Sequence, residues 1–246
     1  MDTHFNKKIR KYCPPHYLLI PLLAAFTVSC QNENKETVEP TSFYPLSVGQ
    51  FSVFDVTEIV YSEGQDSVTN FWQERDELSK ITSATGETAT YLVYRSKRKT
   101  ASDYWQKVKE YTVQQSPDKI VENIDNESIV QLVFPIDLNT KWDAYSYMNL
   151  SDNDYRYGYK FTYQHTKEPI AVSGKTFDKT LKVVERMDTS SIQYKVAGKY
   201  YAENIGLIKS EQADFQYLQK DGDLVGDKII GSGRRVTKKI IDYGIN

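Results

Sequence analysis

From Phe51 onward, apolar and polar residues alternate with a period close to two, the spacing of a strand that buries one face. The run FSVFDVTEIVY (51–61) is β-branched and aromatic, and EGQDS (63–67) follows it as a turn. VTNFWQERDEL (68–78) extends a hairpin, although its second half also suits a helix. ATYLVYRSKRK (89–99) and DYWQKVKEYTVQQ (103–115) predict two more strands; in the second, Trp105, Tyr111 and Val113 share one parity, and Lys107 and Lys109 interrupt that face. The most regular alternation is YRYGYKFTY (155–163). It predicts a strand with Tyr155, Tyr157, Tyr159, Phe161 and Tyr163 on one face and Arg156, Gly158, Lys160 and Thr162 on the other. TFDKTLKVVER (176–186), SIQYKVAGKYYAEN (191–204) and GLIKSEQADFQYLQ (206–219) follow, with turns at Gly206 and at DGD (221–223). The basic tail from Gly226 reads as a last edge strand.

Helix is confined to two short readings, over 71–81 and 125–133. Short strands separated by Gly, Asp and Asn turns predict a single antiparallel all-β domain over residues 43–246. Such a sheet must close or cover one face, because open edges and exposed aromatics favour aggregation. A curved sheet forming a barrel or half-barrel satisfies this; a β-sandwich is the alternative. No internal repeat at a fixed period is present.

The first thirty residues differ in kind. Lys7, Lys8, Arg10 and Lys11 form a basic region, an apolar stretch runs from Tyr17 to Val28, and Ser29-Cys30 is followed at once by polar QNENKETVEPTS. This is export-signal chemistry, too short for a confident membrane span. The pattern resembles the lipobox of bacterial lipoproteins, which is cut before a cysteine that becomes acylated; Thr27 stands where Leu is usual. The expected organisation is therefore a signal peptide at 1–29, lipidation at Cys30, a tether at 30–42 and the β domain beyond. An ordinary secretory leader or a retained anchor are the alternatives. Gln31 is not the acidic residue that keeps enteric lipoproteins at the inner membrane, which points to the outer membrane, facing periplasm or cell surface.

Composition narrows the chemistry. The chain has net charge −2 with a basic leader, so the remainder is acidic and a poor general binder of nucleic acid. Its two cysteines are Cys13 and Cys30, which leaves no pair for a disulfide once the leader is removed. Of the three histidines, His4 and His16 fall in the leader and His165 reads as a loop residue after the aromatic strand. Zinc sites built on several His or Cys ligands are thereby excluded, and no cofactor is expected. The acid pairs Asp152/Asp154, Glu74/Asp76/Glu77, Glu211/Asp214 and Asp221/Asp223 read as solvated turn residues. DNDYRYG (152–158) lacks the glycine and distal glutamate of a calcium loop. GSGRR (231–235) lacks the strand–turn–helix setting of a nucleotide site. Two basic clusters, Arg95/Lys97/Arg98/Lys99 and Arg234/Arg235/Lys238/Lys239, read as solvated edge protection, or as contacts to anionic headgroups.

The 19 Tyr, 10 Phe and 3 Trp supply both core and candidate site. The face Tyr155, Tyr157, Tyr159, Phe161, Tyr163 either packs a core or lines a cavity for a hydrophobic ligand. Three further segments, FYPLSVGQFSVFDV (43–56), IVQLVFPIDLNTKWD (129–143) and YYAENIGLIKSE (200–211), together resemble Bacteroidetes-type β-rich envelope lipoproteins. The resemblance implies export, lipid anchoring and no established catalytic residues, with a more distant analogy to lipoprotein-carrier half-barrels that enclose acyl chains. In physical terms, Pro45 and Gly49 shape the entry to the first strand, Pro135 ends a strand, Trp142 returns against the core and Gly206 permits a tight turn. The expected function is that of a lipid-anchored, non-enzymatic envelope protein with a hydrophobic ligand in an aromatic-lined cavity. A scaffold for an envelope protein partner, and a carbohydrate-active enzyme or glycan-binding protein, are the alternatives.

Overall fold

The computed structural model describes residues 40–166 and 169–246, with the side chains of Pro40, His165 and Thr166 outside that description. The leader, Cys30 and the tether up to residue 39 lie outside the described residues. A single turn of 3-10 helix at Pro40–Phe43 precedes strands β1 (Gln50–Tyr61), β2 (Val68–Thr85), β3 (Thr88–Arg98), β4 (Gln106–Ser116), β5 (Lys119–Ile124), β6 (Glu127–Val133), β7 (Lys141–Trp142) and β8 (Phe161–Thr166). Then come β9 (Ile170–Val172), β10 (Lys175–Phe177), β11 (Thr180–Thr189), β12 (Gln193–Ala202), β13 (Gly206–Tyr217), β14 (Gln219–Lys220), β15 (Asp223–Leu224) and β16 (Ile230–Ile245).

Twelve strands form one antiparallel sheet in the order β6-β5-β4-β3-β2-β1-β16-β13-β12-β11-β8-β7, nearly closed into a barrel. The barrel reading of the sequence holds and the sandwich does not. The tail, expected at an edge, is instead β16 in the middle of the sheet, paired with β1 on one side and β13 on the other. Its place demands a glycine. Gly233 has φ of 127°, and a Cβ there would lie 2.0 Å from the Asp214 carbonyl on the neighbouring strand.

Neither short helix forms. Over 71–81 the chain continues β2, and 125–133 is a hairpin in which Asp125 and Asn126 both take left-handed φ (56° and 63°), the geometry of a tight two-residue turn before β6. The predicted strand at 155–163 is also corrected. Backbone hydrogen bonds from Asp154 to Ser151, Tyr157 to Asp154 and Tyr159 to Arg156 make successive turns, and Gly158 has φ of 74°. Only from Phe161 does β8 begin. His165, read as a loop residue, lies in β8 opposite Leu181.

The gap between β6 and β7–β8 is sealed by three contacts. The Val130 amide donates to the Ala144 carbonyl (2.8 Å), and Trp142 Nε1 donates to the Val130 carbonyl (2.9 Å). The Tyr163 hydroxyl accepts from the Val133 amide (2.8 Å) and donates to the Val133 carbonyl (2.6 Å). An edge that would otherwise offer free backbone groups is thus covered. Trp142 does return to the core, its ring 4.6 Å from Tyr163 and 5.9 Å from Phe161. Around this seam pack Val113, Ile120, Leu132, Leu181 and Tyr201, with Phe43 of the entry segment. A second cluster joins Val172 and Phe177 of the β9–β10 hairpin to Phe54, Val56, Ile208 and Ile240.

Tyr163→Phe keeps the ring and removes both seam hydrogen bonds, so it is expected to cost about 1–3 kcal/mol in denaturant unfolding. Tyr157→Phe, on a residue 56% exposed, is the control and should change stability by less than about 0.5 kcal/mol. Equal stability for the two variants would show that the Tyr163 hydroxyl does not hold the seam.

Candidate functional site

A cavity of about 340 Å³ lies inside the barrel, with walls from β1 to β6, from β11, β12, β13 and β16, and from the entry segment Tyr44–Leu46. One part of its lining is apolar and aromatic, including Leu46, Phe51, Phe54, Val93, Tyr111 and Tyr201. The other is charged, through Asp76, Arg95, Glu122, Glu185, Lys199 and Lys238. Strand alternation places the charges there. Asp76 shares parity with Leu78 on β2, and Arg95 shares parity with Val93 on β3, so the face that carries the apolar wall also carries the ions.

The charges are organised in pairs. Arg95 grips Asp76 with two parallel bonds of 2.6 Å and lies 5.1 Å from the Tyr111 ring. Glu74, only 3% exposed, receives Lys97 at 3.1 Å, Trp72 Nε1 at 2.9 Å and a short contact from Lys238. On the far wall, Lys199 bonds Glu185 at 2.9 Å and Gln131 at 2.6 Å. The β-bulge between Val184 and Arg186 leaves Glu185 as the extra residue on β11, a device that re-aims a side chain. Glu122 accepts from the Tyr44 hydroxyl at 2.5 Å.

Burial and neighbouring charge set the protonation states. Burial alone would raise the Glu74 carboxyl, but the Lys238 and Arg95 charges and the bonds from Lys238 and Trp72 hold it at about 2. Lys238 is pushed below its ordinary value, because burial and the Arg95 charge outweigh Glu74 and Asp76. The two directions agree on one picture: around Glu74, cations outnumber the acids that balance them. Lys199 goes the other way, raised because Glu185 and Glu122 overcome the effect of burial. Tyr44, Tyr111 and Tyr201 are raised well above 10.0, first by burial and then by acidic neighbours, so their hydroxyls stay protonated and available to donate. Glu74, shifted away from neutrality, is a fixed anion and not a group tuned for proton transfer near pH 7.

The five aromatic residues singled out in the sequence do not share a face. Phe161 and Tyr163 are buried in the core, whereas Tyr155 and Tyr157 are 61% and 56% exposed in the turns before β8. None lines the larger cavity. Tyr155, Tyr159 and Phe161 line a smaller one of about 190 Å³, which shares Ile129, Gln131, Glu185, Lys199 and Gln212 with the first. Cys30 lies outside the described residues. The acids read as solvated are partly recruited: Glu74 and Asp76 enter the barrel network, and Asp154 is gripped by Arg156 at 3.0 and 2.8 Å. The basic clusters are likewise not simple edge protection, since Arg95 and Lys238 point into the cavity. Sequence reasoning misses these residues because charge ordinarily signals solvent. The available signal was their parity with Val93 and Leu78.

Removing the Glu74 charge leaves Lys97, Lys238 and Arg95 around a neutral group. Glu74→Gln should therefore destabilise the protein by about 3 kcal/mol at neutral pH. The pH dependence follows in sign. The folded pKa is depressed from 4.5 to about 2, so the carboxylate's contribution is complete above its unfolded value and is lost as pH falls toward the folded one. Urea unfolding at pH 7 and at about pH 3 should show a smaller acid loss in Glu74→Gln than in the wild type. Equal losses would place the acid sensitivity elsewhere.

No protein-family model matches the chain, and no curated protein matches it significantly. Among solved structures, it is similar to a Parabacteroides distasonis ATCC 8503 protein described as a "putative lipoprotein", with 10% identity over 82% of this chain and 98% of that one, at a TM-score of 0.40.

Proposed function

We propose that this chain is a lipid-anchored, non-enzymatic protein of the bacterial cell envelope that holds a small amphipathic ligand inside its barrel. The observation that carries the reading is the two-sided cavity. Its volume of about 340 Å³ falls at the lower end of ligand pockets, ~300–1,000 Å³. Leu46, Phe51, Phe54 and Val93 offer an apolar seat, while Asp76, Arg95, Glu122 and Lys238 offer fixed polar groups within the same walls. A purely hydrocarbon ligand would strand those ions without solvent. An amphipathic one satisfies both halves, which refines the hydrophobic ligand expected from the sequence. Anchoring and outer-membrane placement rest on the basic and apolar leader, the Ser29-Cys30 step and the polar residues from Gln31. Several acyl chains on one cysteine anchor stably where one would be marginal.

Native mass spectrometry of the full chain, purified in mild detergent from its own cells, should show a bound mass that extracts into organic solvent. Leu46→Trp, which fills the apolar seat from the entry segment, should lose that mass while remaining folded by circular dichroism. A clean apo mass for the wild type would overturn ligand carriage. Separately, Cys30→Ser should move the protein from the membrane to the soluble fraction. Unchanged fractionation would overturn the anchor.

A further inference from the structure

Among the described residues, the Arg186 guanidinium on β11 has ion pairs but no hydrogen-bond acceptor. Its side chain is 14% exposed, and its Nε is buried with no hydrogen-bond partner. The nearest carboxylates, Asp188 and Asp214, stand 3.5 and 3.7 Å from Nη2 and Nη1, beyond the ~2.7–2.9 Å of charge-assisted bonds. Arg95 and Arg156, in contrast, each grip an aspartate through Nε and Nη2, at 2.6 Å or at 2.8–3.0 Å; Arg75 also leaves its Nε unmade, but its Nη2 bonds Asn246 at 3.2 Å and Glu77 at 3.0 Å. An arginine fork carries five donors in a fixed plane, and leaving a buried donor unmade is costly.

The surroundings preorganise the fork. Tyr155 and Tyr159 lie 4.7 and 5.5 Å from the guanidinium carbon, which limits its rotation and weakens competing hydration. Arg186 lines the smaller cavity of about 190 Å³ together with Arg156, Lys199, Glu185 and Asp214. Glu185 is already committed to Lys199 at 2.9 Å. Asp214 is 45% exposed and Asp188 is 35% exposed, so both balance Arg186 from solvent without ligating it.

We propose that the smaller cavity is a binding site for a small oxyanion, a carboxylate or a phosphate, held in two-pronged fashion by Arg186 between Tyr155 and Tyr159. The site does not depend on the larger cavity being filled, so it stands or falls separately from the function proposed above. Tyr155 and Tyr159 thereby gain a role as walls of a polar site, different from the hydrophobic face expected of them.

The test uses the full chain in detergent and the arginine Nε–H resonances in a nitrogen–proton correlation spectrum, titrated with sodium acetate, sodium phosphate and, at matched ionic strength, sodium chloride. One resonance, absent from Arg186→Lys, should move saturably with acetate or phosphate and not with chloride. A response to acetate alone identifies a carboxylate as the recognised group, and a response to phosphate alone identifies a phosphoryl group. Arg186→Lys, which keeps the charge but loses the fork, should weaken binding about tenfold or more. Tyr155→Leu, on an exposed turn that the core does not need, should weaken it several-fold with the resonance still visible. No saturable shift with either anion in the wild type, or the same affinity in Arg186→Lys and wild type, overturns the site.

Discussion

The structure depends on one pairing: the last strand of the chain lies between the first strand and β13. Strands β1 to β6 form one meander, each joined to its neighbour by a turn, and β8, β11, β12 and β13 form another. Among the described strands, β16 alone joins β1 to β13 within the sheet. Without it, both meanders would end in open edges and the cavity would have no wall between them. The pairing also joins distant parts of the chain, with Gln50 opposite Ile245, so its loop-closure entropy is repaid only when the other strands are in place. Gly233 records how tight the fit is, because the neighbouring strand occupies the volume that any side chain there would need.

That strand also delivers charge to the interior. Lys238 on β16 reaches across β1 to Glu74 on β2, and Arg95 and Lys97 arrive from β3. Burying ions in this way seldom gains net stability over a well-packed apolar core. It does specify register, since a slip of one residue on β2 or β3 would send Glu74 or Arg95 to the opposite face and leave its partner alone. The network therefore fixes which strands meet and in what alignment. It also keeps a polar surface in place inside a barrel that packing alone would have filled.

The sequence disclosed the parts of the fold governed by local rules. The β-branched run at 51–61, the Gly206 turn and the return of Trp142 are all decided by residues close together in the chain. What it hid was decided by distant partners. The tail at 226–246 looked like an edge because its lysines and arginines suit solvent, yet Lys238 is drawn inward by an acid 164 positions away. The run at 155–163 alternates perfectly, but alternation states only that a strand is possible. Gly158 in a left-handed conformation and the Asp154–Arg156 grip favour turns instead, and the pattern becomes a strand only where Phe161 and Tyr163 find the seam. The candidate site was hidden for the same reason: Glu74, Asp76 and Arg95 are ordinary surface residues until β2 and β3 pair, with Asp76 beside Arg95 and Glu74 beside Lys97, and the sheet curls so that this face points inward.

The two cavities meet at a partition of Gln131, Glu185, Lys199 and Gln212 with the apolar Ile129. Gln131, Glu185 and Lys199 belong to the lining of both, and Lys199 holds the other two together across the barrel, bonding β6 on one side and β11 on the other. A long apolar ligand running through both cavities would have to break this triad and leave Glu185 buried without a counter-ion, a cost of several kcal/mol by the general behaviour of buried pairs. The partition therefore separates two chemistries. On one side, Phe51, Phe54 and Val93 share their walls with the paired ions Asp76 and Arg95. On the other, Arg186 has an Nε without a hydrogen-bond partner among the described residues. The triad of Gln131, Glu185 and Lys199 thus stands between the mixed apolar and charged lining of one cavity and the Arg186 guanidinium in the lining of the other.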